Sequence, residues 1–412
     1  MDVANISDDM PALDPGFVPP AIRGPAALAH LAYAGADEAV LFRAVERPTP
    51  DLTEAAAYAL DAATIHALFG RAEAAAALQR QALAGCALYR PVDSLRTRSA
   101  APLRVLALLA PGDLMANTPL DFITMHLDVR LDMLFVVPGR ALPPVLPEHD
   151  VAFFAAADGD PAVLSRLAAL QARWPRPTLN DPARVLRLSR EALALALRRR
   201  PGLLVPPIRR APRAAATAAA ADIGYPALVR PVGSHAGHDL ARVEDAAALD
   251  AWCARSDARD VFVSRFIDYA GTDGMYRKYR IALIAGRPFL CHMAVSAHWM
   301  VHYLNAGMAE SEARRAEEAA AMADFDAGFA RRHAEALASI GEWAGLDYFQ
   351  IDCAELPDGR LLLFEADVAG IVHMMDPPAL FPYKPPQMRR VMAAFGDMLA
   401  GAAGRRAMRP AA

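Results

Sequence analysis

Between Asp347 and Asp367 the chain runs Asp-Tyr-Phe-Gln-Ile-Asp-Cys-Ala-Glu-Leu-Pro-Asp-Gly-Arg-Leu-Leu-Leu-Phe-Glu-Ala-Asp, two largely apolar runs joined at Pro357-Asp358-Gly359. Pro, Asp and Gly in succession favour a tight turn, and apolar runs of this length on either side of one make a β-hairpin. Side chains alternate faces along a strand, so Glu365 and Asp367 share a face while Phe364 and Ala366 take the other. Folding back at Asp358 sets Asp352 opposite Glu365. Three carboxylates on one surface of an apolar hairpin repel each other unless a cation or a basic group sits among them. Hard oxygen donors of this kind suit Mg²⁺, which at such sites commonly also holds nucleotide phosphates. The plainer alternative is an exposed strand face with scattered acids.

At 412 residues the chain has room for two or three domains, and 55% hydrophobic with 22% charged residues fits globular folding around sizeable cores. A net charge of −4 gives no footprint for nucleic acid or an anionic membrane surface. Cys86, Cys253, Cys291 and Cys353 lie far apart with no CxxC pair, which argues against a zinc site or disulfide framework and fits a reducing, cytoplasmic setting. The acidic start, residues 1–9, has no apolar core and does not read as a secretory leader, and no apolar run reaches the length of a membrane span. Lysine occurs only at Lys278 and Lys384 in a chain rich in arginine. A lysine kept against that background is expected to do what a guanidinium cannot.

Along the chain, residues 1–20 are polar and Pro-rich and are expected to be disordered. Residues 21–98 carry helical, Ala/Leu-rich patterning; 52–69 and 72–89 with Gly70 between them read as a helical hairpin resembling a tetratricopeptide-type unit, or as a plain helical cap on the next domain. Residues 99–205 alternate short apolar strands (103–109, 133–137, 150–154) with helices, the pattern of a small parallel α/β domain. After the Pro/Arg-rich stretch 201–212, a further α/β or α+β domain over 206–400 contains a strand at 227–230, a glycine-rich loop, a helix at 246–255, a strand at 261–267, a hairpin over 276–295, a long charged helix over 309–341 and the acidic hairpin. Residues 401–412 form a tail.

Small residues in Gly233-Ser234-His235-Ala236-Gly237 let backbone N–H groups approach phosphate oxygens, with the Ser234 hydroxyl as a further donor and Arg230 aimed at the loop. A simple tight turn is the alternative. In Tyr276-Arg277-Lys278-Tyr279-Arg280, alternation puts Tyr276, Lys278 and Arg280 on one face. A basic stripe opposite three acids suits a metal–triphosphate ligand. His292, His298, His302 and His373 show no metal-ligand spacing. The segment 291–308, dense in aromatic and imidazole groups, reads as part of an acceptor pocket or as a core strand with its flanking loop.

In order, these segments resemble the ATP-grasp superfamily of carboxylate–amine ligases over roughly residues 100–395. Asn180-Asp181-Pro182 resembles the Asn-x-Pro segment that ends the preceding domain. Ala227 to Ser234 looks like the strand with a phosphate-binding lysine followed by the flexible loop, and Val263-Ser264-Arg265-Phe266-Ile267 is similar to the hinge strand that meets adenine. Asp273 with Arg280 looks like the strand lining the phosphate and substrate site. Asp352, Glu365 and Asp367 match the closing acid-x(12)-acid-x-Asn pattern that binds magnesium.

Two positions depart from the pattern: Arg230 stands where lysine is usual, and Asp367 where asparagine is usual. The resemblance implies ATP with two Mg²⁺ ions (or Mn²⁺) held by Asp352, Glu365 and Asp367. It implies nucleotide contacts from Arg230, the 233–237 loop, Ser264, Arg265, Phe266, Ile267, Asp273 and Lys278, with Lys278 and Arg280 as catalytic groups. Small-molecule or peptide carboxylates and amines are the implied substrates, with a peptide or protein partner for the helical N-terminus. The alternatives are a phosphotransferase of the same architecture and a nucleotide-binding scaffold.

Overall fold

The computed structural model describes residues 10–47, 51–95, 99, 101–234 and 237–404. Residues 1–9 and 405–412 of the expected tails, and His235 and Ala236 of the glycine-rich loop, lie outside the described residues. The fold is mixed α/β. The chain divides into two compact units: Met1–Leu186 with Leu346–Tyr348 and Val368–Ala412, and Arg187–Gly345 with Phe349–Asp367.

The first unit carries strands β1 (Ala12–Asp14), β2 (Ala21–Ile22), β3 (Leu88–Pro91), β4 (Leu103–Leu109), β5 (Val129–Phe135), β6 (Val145–Pro147), β7 (Val151–Phe154) and β8 (Thr178–Leu179). Six of them form one sheet in the order β2-β3-β5-β4-β7-β8. β4 pairs in parallel with both β5 and β7, and β3 runs antiparallel to β5. A strand covered on both faces has no use for polar alternation, which is why Leu103–Leu109 is almost wholly apolar and buried. Asp132 on β5 is a buried charge in this sheet, and it is neutralised: Arg90 of β3 reaches it with Nε at 2.6 Å and Nη2 at 3.0 Å, both side chains buried.

The helices Leu52–Leu68 and Ala72–Gly85 form the expected hairpin, with Gly70 at φ 75° in the turn and Asp51 capping the first through the Thr53 and Glu54 N–H groups. Within residues 21–98, however, β2 and β3 also occur, and both join the six-stranded sheet. The helical stretch is thus bracketed by strands of that sheet. Ala12–Asp14, expected to be disordered, pairs in parallel with β6 instead, where Leu13 lies opposite Leu146. The helix Lys384–Ala402 closes the unit, with Phe395 fully buried and its ring 5.8 Å from Phe153 and 5.1 Å from Tyr348.

The second unit holds two antiparallel-based sheets. One, in the order β10-β13-β11-β12, comprises β10 (Ile208–Pro212), β11 (Ala227–Pro231), β12 (Ala241–Val243) and β13 (Asp260–Arg265). The helices Ala216–Ile223 and Ala246–Arg255 pack on it through Ala216, Ala220, Leu249 and Trp252 against Val229, Val261 and Val263. The other runs β15-β14-β16-β17-β9, from β9 (Leu203–Leu204), β14 (Tyr276–Ile284), β15 (Arg287–Ser296), β16 (Tyr348–Glu355) and β17 (Leu361–Asp367).

One helix expected to be continuous is broken. The stretch 309–341 becomes Glu312–Asp324, Phe329–Arg332 and Ala334–Ala344. The break falls at Gly328, where a Cβ would stand 3.0 Å from the Asp324 carbonyl oxygen, so the chain closes on itself only because no side chain is there. Earlier in the chain, Pro182–Val185, a 3₁₀ turn and the helix Arg190–Leu197 follow one another. Among the described residues, no helix is long and apolar enough to cross a membrane.

Candidate functional site: a cation-rich acidic hairpin

β14 and β16 are neighbours in the second sheet, and period-two alternation brings Lys278 and Arg280 to the face that carries Asp352. Lys278 Nζ lies 2.8 Å from Asp352 Oδ2, and Arg280 donates from Nε to Oδ1 at 2.8 Å and from Nη2 to Oδ2 at 3.0 Å. Both oxygens of Asp352, which is 4% exposed, are therefore occupied by cationic donors. Burial alone would push the Asp352 carboxyl upward, but Arg280 and then Lys278 override it and hold it well below the usual carboxylate range. Reciprocally, burial works to lower the Arg280 guanidinium, and Asp352 more than offsets that.

On β17, Glu365 sits in register with Asp352, and Asp367 lies opposite Gln350. Arg190, the first residue of the helix Arg190–Leu197, donates from Nη2 to Glu365 Oε2. Burial would raise the Glu365 carboxyl; Arg190, with Lys278 and Arg230, brings it below its ordinary value despite the opposing charge of Asp352.

Arg230 arrives from the other sheet, near the end of β11. Burial, then the neighbouring charge of Arg190, push its guanidinium down to about 10 against the pull of Glu365. It folds over its own loop, donating from Nε to Ser234 Oγ at 3.0 Å and from Nη2 to the Ser234 carbonyl, while the Ser234 hydroxyl donates to the Pro231 carbonyl. Gly233 and Gly237 hold φ of 81° and 77°, which only glycine adopts without strain.

Four cations (Arg190, Arg230, Lys278, Arg280) thus converge on Asp352 and Glu365, with Asp367 farther along β17 opposite Gln350. The net charge of the group is positive before any ligand arrives. Such a site attracts a polyanion. The carboxylates do not fit a bare divalent ion as they stand. Among the described residues no three His, Cys, Asp or Glu side chains group around a point that could hold a metal. The chain's own cations occupy the Asp352 oxygens that a metal would need.

The hinge stretch divides. Ser264 and Arg265 lie on β13, paired with Leu228 and Ala227 of β11. Arg265 turns its Nη1 to the Ile223 carbonyl, and its guanidinium fills the space beside Gly224 where a Cβ would clash at 2.3 Å. Its role is to pin the hinge rather than to reach outward. The Phe266 N–H is taken by the Pro226 carbonyl at 3.0 Å, its ring carries the Arg242 guanidinium at 4.2 Å, and Ile267 follows half-buried.

Asp273 does not join Arg280. Its carboxylate takes the Arg277 guanidinium at 2.7 and 3.0 Å, and Arg277 also reaches Glu317. Residue 277 points to the face opposite 278 and 280, so the Asp273–Arg277–Glu317 network belongs to the other side of β14.

Two residues of the site carry no sequence signal of their own. Arg190 is one arginine among many. His302 falls in the aromatic segment 291–308 but shows no ligand spacing. In the structure its imidazole is held neutral by burial, then by Lys278 and Arg280, with Asp352 and Glu365 opposing them. Its place beside those residues comes from a loop that sequence periodicity does not describe.

The sequence matches no family model. It matches no curated protein. Among solved structures, similar folds include a RimK domain ATP-grasp protein from Sphaerobacter thermophilus, at 22% identity over 73% of this chain and 99% of that one, TM-score 0.39. The VanG D-Ala:D-Ser ligase from Enterococcus faecalis shows 14% identity over 74% and 99%, TM-score 0.44. The D-alanine–D-alanine ligase from Bacillus anthracis, solved with ATP, shows 13% identity over 73% and 96%, TM-score 0.42. At these TM-scores the likeness decides nothing about the site.

Proposed function

We propose that the second unit binds a nucleoside triphosphate, ATP, between Arg230 with its glycine-rich loop and the Lys278–Arg280 stripe, and uses it to join a carboxylate to an amine. The observation that carries this reading is the excess of cations on the acidic hairpin: Arg190, Arg230, Lys278 and Arg280 against Asp352, Glu365 and Asp367. A triphosphate supplies the negative charge that arrangement lacks, and phosphoryl transfer depends mostly on positioning and charge neutralisation of this kind.

In the reaction a substrate carboxylate oxygen attacks the γ-phosphorus. The bond to the β–γ bridging oxygen breaks, giving an acyl phosphate and ADP. The amine nitrogen then attacks the acyl carbon, phosphate leaves, and the nitrogen gives up a proton as the amide forms. Lys278 and Arg230 neutralise the moving phosphoryl group, and Arg280 steadies the negative oxygen of the tetrahedral intermediate. Asp352 and Glu365 hold these cations in place until phosphate competes for them.

The test is ATP binding by calorimetry, followed by a screen of acids and amines for ADP release, with wild type and Glu365→Ala. Wild type is expected to bind ATP and to release ADP one for one with amide. The variant, which loses the tether of Arg190, is expected to keep its fold and lose turnover. A folded wild type that binds no ATP, or a variant with full activity, overturns the reading.

A further inference from the structure

The loop that follows β15 touches the connection after β13, the end of the glycine-rich loop and β15 itself. At its start the Trp299 carbonyl accepts the Tyr269 hydroxyl at 2.5 Å, and the Trp299 ring meets Phe266 edge-on at 5.6 Å. The next residue, Met300, puts its sulfur 3.4 Å from where a Cβ on Gly237 would stand, at the far end of the glycine-rich loop. Three residues on, the Tyr303 ring lies against His292 with centroids 4.6 Å apart and planes tilted by 45°, and its hydroxyl donates to Glu318 Oε2 at 2.9 Å. Glu318 is fully buried, and its other oxygen accepts the Met293 N–H at 3.1 Å. His292 lies opposite Arg280 in the β14–β15 ladder, so the two side chains share a face. Tyr303 is thereby fixed against a residue of that face, and His302, immediately before it, is near enough to Lys278 and Arg280 to feel their charge.

The orientation of the ring is set by the chain. His302 caps the 3₁₀ turn Tyr303–Asn305: its Nδ1 accepts the Leu304 N–H at 3.4 Å, and the Asn305 side chain accepts the His302 N–H at 3.0 Å. A backbone N–H has no other role than donor, so Nδ1 carries the lone pair and the proton of the neutral ring is on Nε2. The charged groups that act on it are Lys278 and Arg280 from β14, Asp352 from β16 and Glu365 from β17, while Glu318 behind it is engaged with Tyr303 and Met293. Burial and the two cations keep the ring uncharged.

We propose that His302 donates a hydrogen bond from Nε2 to an anionic oxygen of the ligand that Lys278 and Arg280 hold. A second cationic imidazole proton there would add to the repulsion among the cations, whereas a neutral donor adds a directed hydrogen bond and no charge. The inference rests on the triphosphate reading above and assigns a ligand contact to a residue outside the acidic hairpin and the glycine-rich loop.

Two substitutions separate the ring's cap from its donor. His302→Asn places an amide oxygen about where Nδ1 stood and keeps the cap, with no donor at the Nε2 position. His302→Gln places an N–H about where Nε2–H stood. Titrating inorganic triphosphate into the full chain, we expect His302→Asn to bind about 10- to 100-fold more weakly than wild type, the loss of one hydrogen bond to a charged group. His302→Gln should lie nearer wild type. In ¹⁵N-histidine spectra the resonance that disappears in His302→Asn identifies His302. It should show the Nε2–H tautomer and shift when triphosphate is added.

Wild-type affinity in His302→Asn, weaker binding in His302→Gln than in His302→Asn, or an Nδ1–H tautomer would each overturn the proposal. A wild type that binds no triphosphate would bring down the function proposed above, and this contact with it.

Discussion

Asp352 is the residue whose replacement says most about how this site works. Its two oxygens receive three N–H donors from Lys278 and Arg280, all within 3.0 Å, in an almost fully buried position. Asp352→Asn keeps the shape and removes the charge. Two cations are then left without their buried counter-charge, and breaking such a pair costs about 3–5 kcal/mol of stability. The same change frees them for a ligand. One unit of charge at about 5 Å, with an effective dielectric constant near 20, is worth about 3 kcal/mol, or roughly a hundredfold in affinity.

The variant should therefore be less stable to urea and yet bind inorganic triphosphate more tightly, measured by calorimetry with chelator present to remove divalent ions. Ligand at 100 times its dissociation constant should return about 2.7 kcal/mol of the lost stability. A folded Asp352→Asn that binds triphosphate no better than wild type, or worse, refutes the view of Asp352 as counter-charge and favours a direct role in holding a ligand or its metal.

Two further outcomes are open to test. Asp61 and Asp121 are buried, accept backbone N–H groups of Arg23, Gly24 and Ala26, and are each raised to about 6 by burial, their hydrogen bonds opposing it. An aspartate raised above its unfolded value binds protons more readily in the fold, so its stabilising protonation is present below about pH 4 and is lost as pH rises toward 6. Each should weaken the fold by about 3 kcal/mol across that window. Between pH 4.5 and 7 about 2 kcal/mol of that change falls to each aspartate, and Asp61→Asn or Asp121→Asn should each remove its share from the measured stability difference; an unchanged slope contradicts the assignment. Asn180 is fully buried at φ 57°, with its side chain bonded both ways to the Tyr348 backbone at 2.8 Å; Asn180→Leu should cost 3 kcal/mol or more by unfolding, and a cost under about 1 kcal/mol counts against the anchor.

The strands were legible where period two and turn chemistry agreed. The hairpin around Pro357-Asp358-Gly359 forms β16 and β17, and Asp352 stands opposite Glu365, next to a register shift between Asp352 and Cys353. The helix breaks were not legible: Gly328 sits in a charged, helix-favouring run, and only the closeness of the Asp324 carbonyl shows why the helix ends. At the site, sequence brought the acids to one face and the basic stripe to its own. It left unread that the two would neutralise each other, because alternation fixes a face and says nothing of distance across a ladder. Asp273 illustrates the reverse: the family resemblance paired it with Arg280, while its partner in the structure, Arg277, lies on the other face. Arg190 and His302 reach the site through a helix start and a loop whose paths no periodicity encodes.

The identity of residue 230 follows from its surroundings. The same burial and the same neighbouring guanidinium that bring Arg230 to about 10 would act on any cation placed there. A lysine begins from about 10.4 and would be carried to about 8, uncharged in an appreciable fraction of molecules at neutral pH. Arginine loses as much and still holds its proton throughout the physiological range. The chain therefore places arginine at 230, where only an intrinsically stronger base stays positive, while the lysine at 278 lies 2.8 Å from its counter-charge on Asp352.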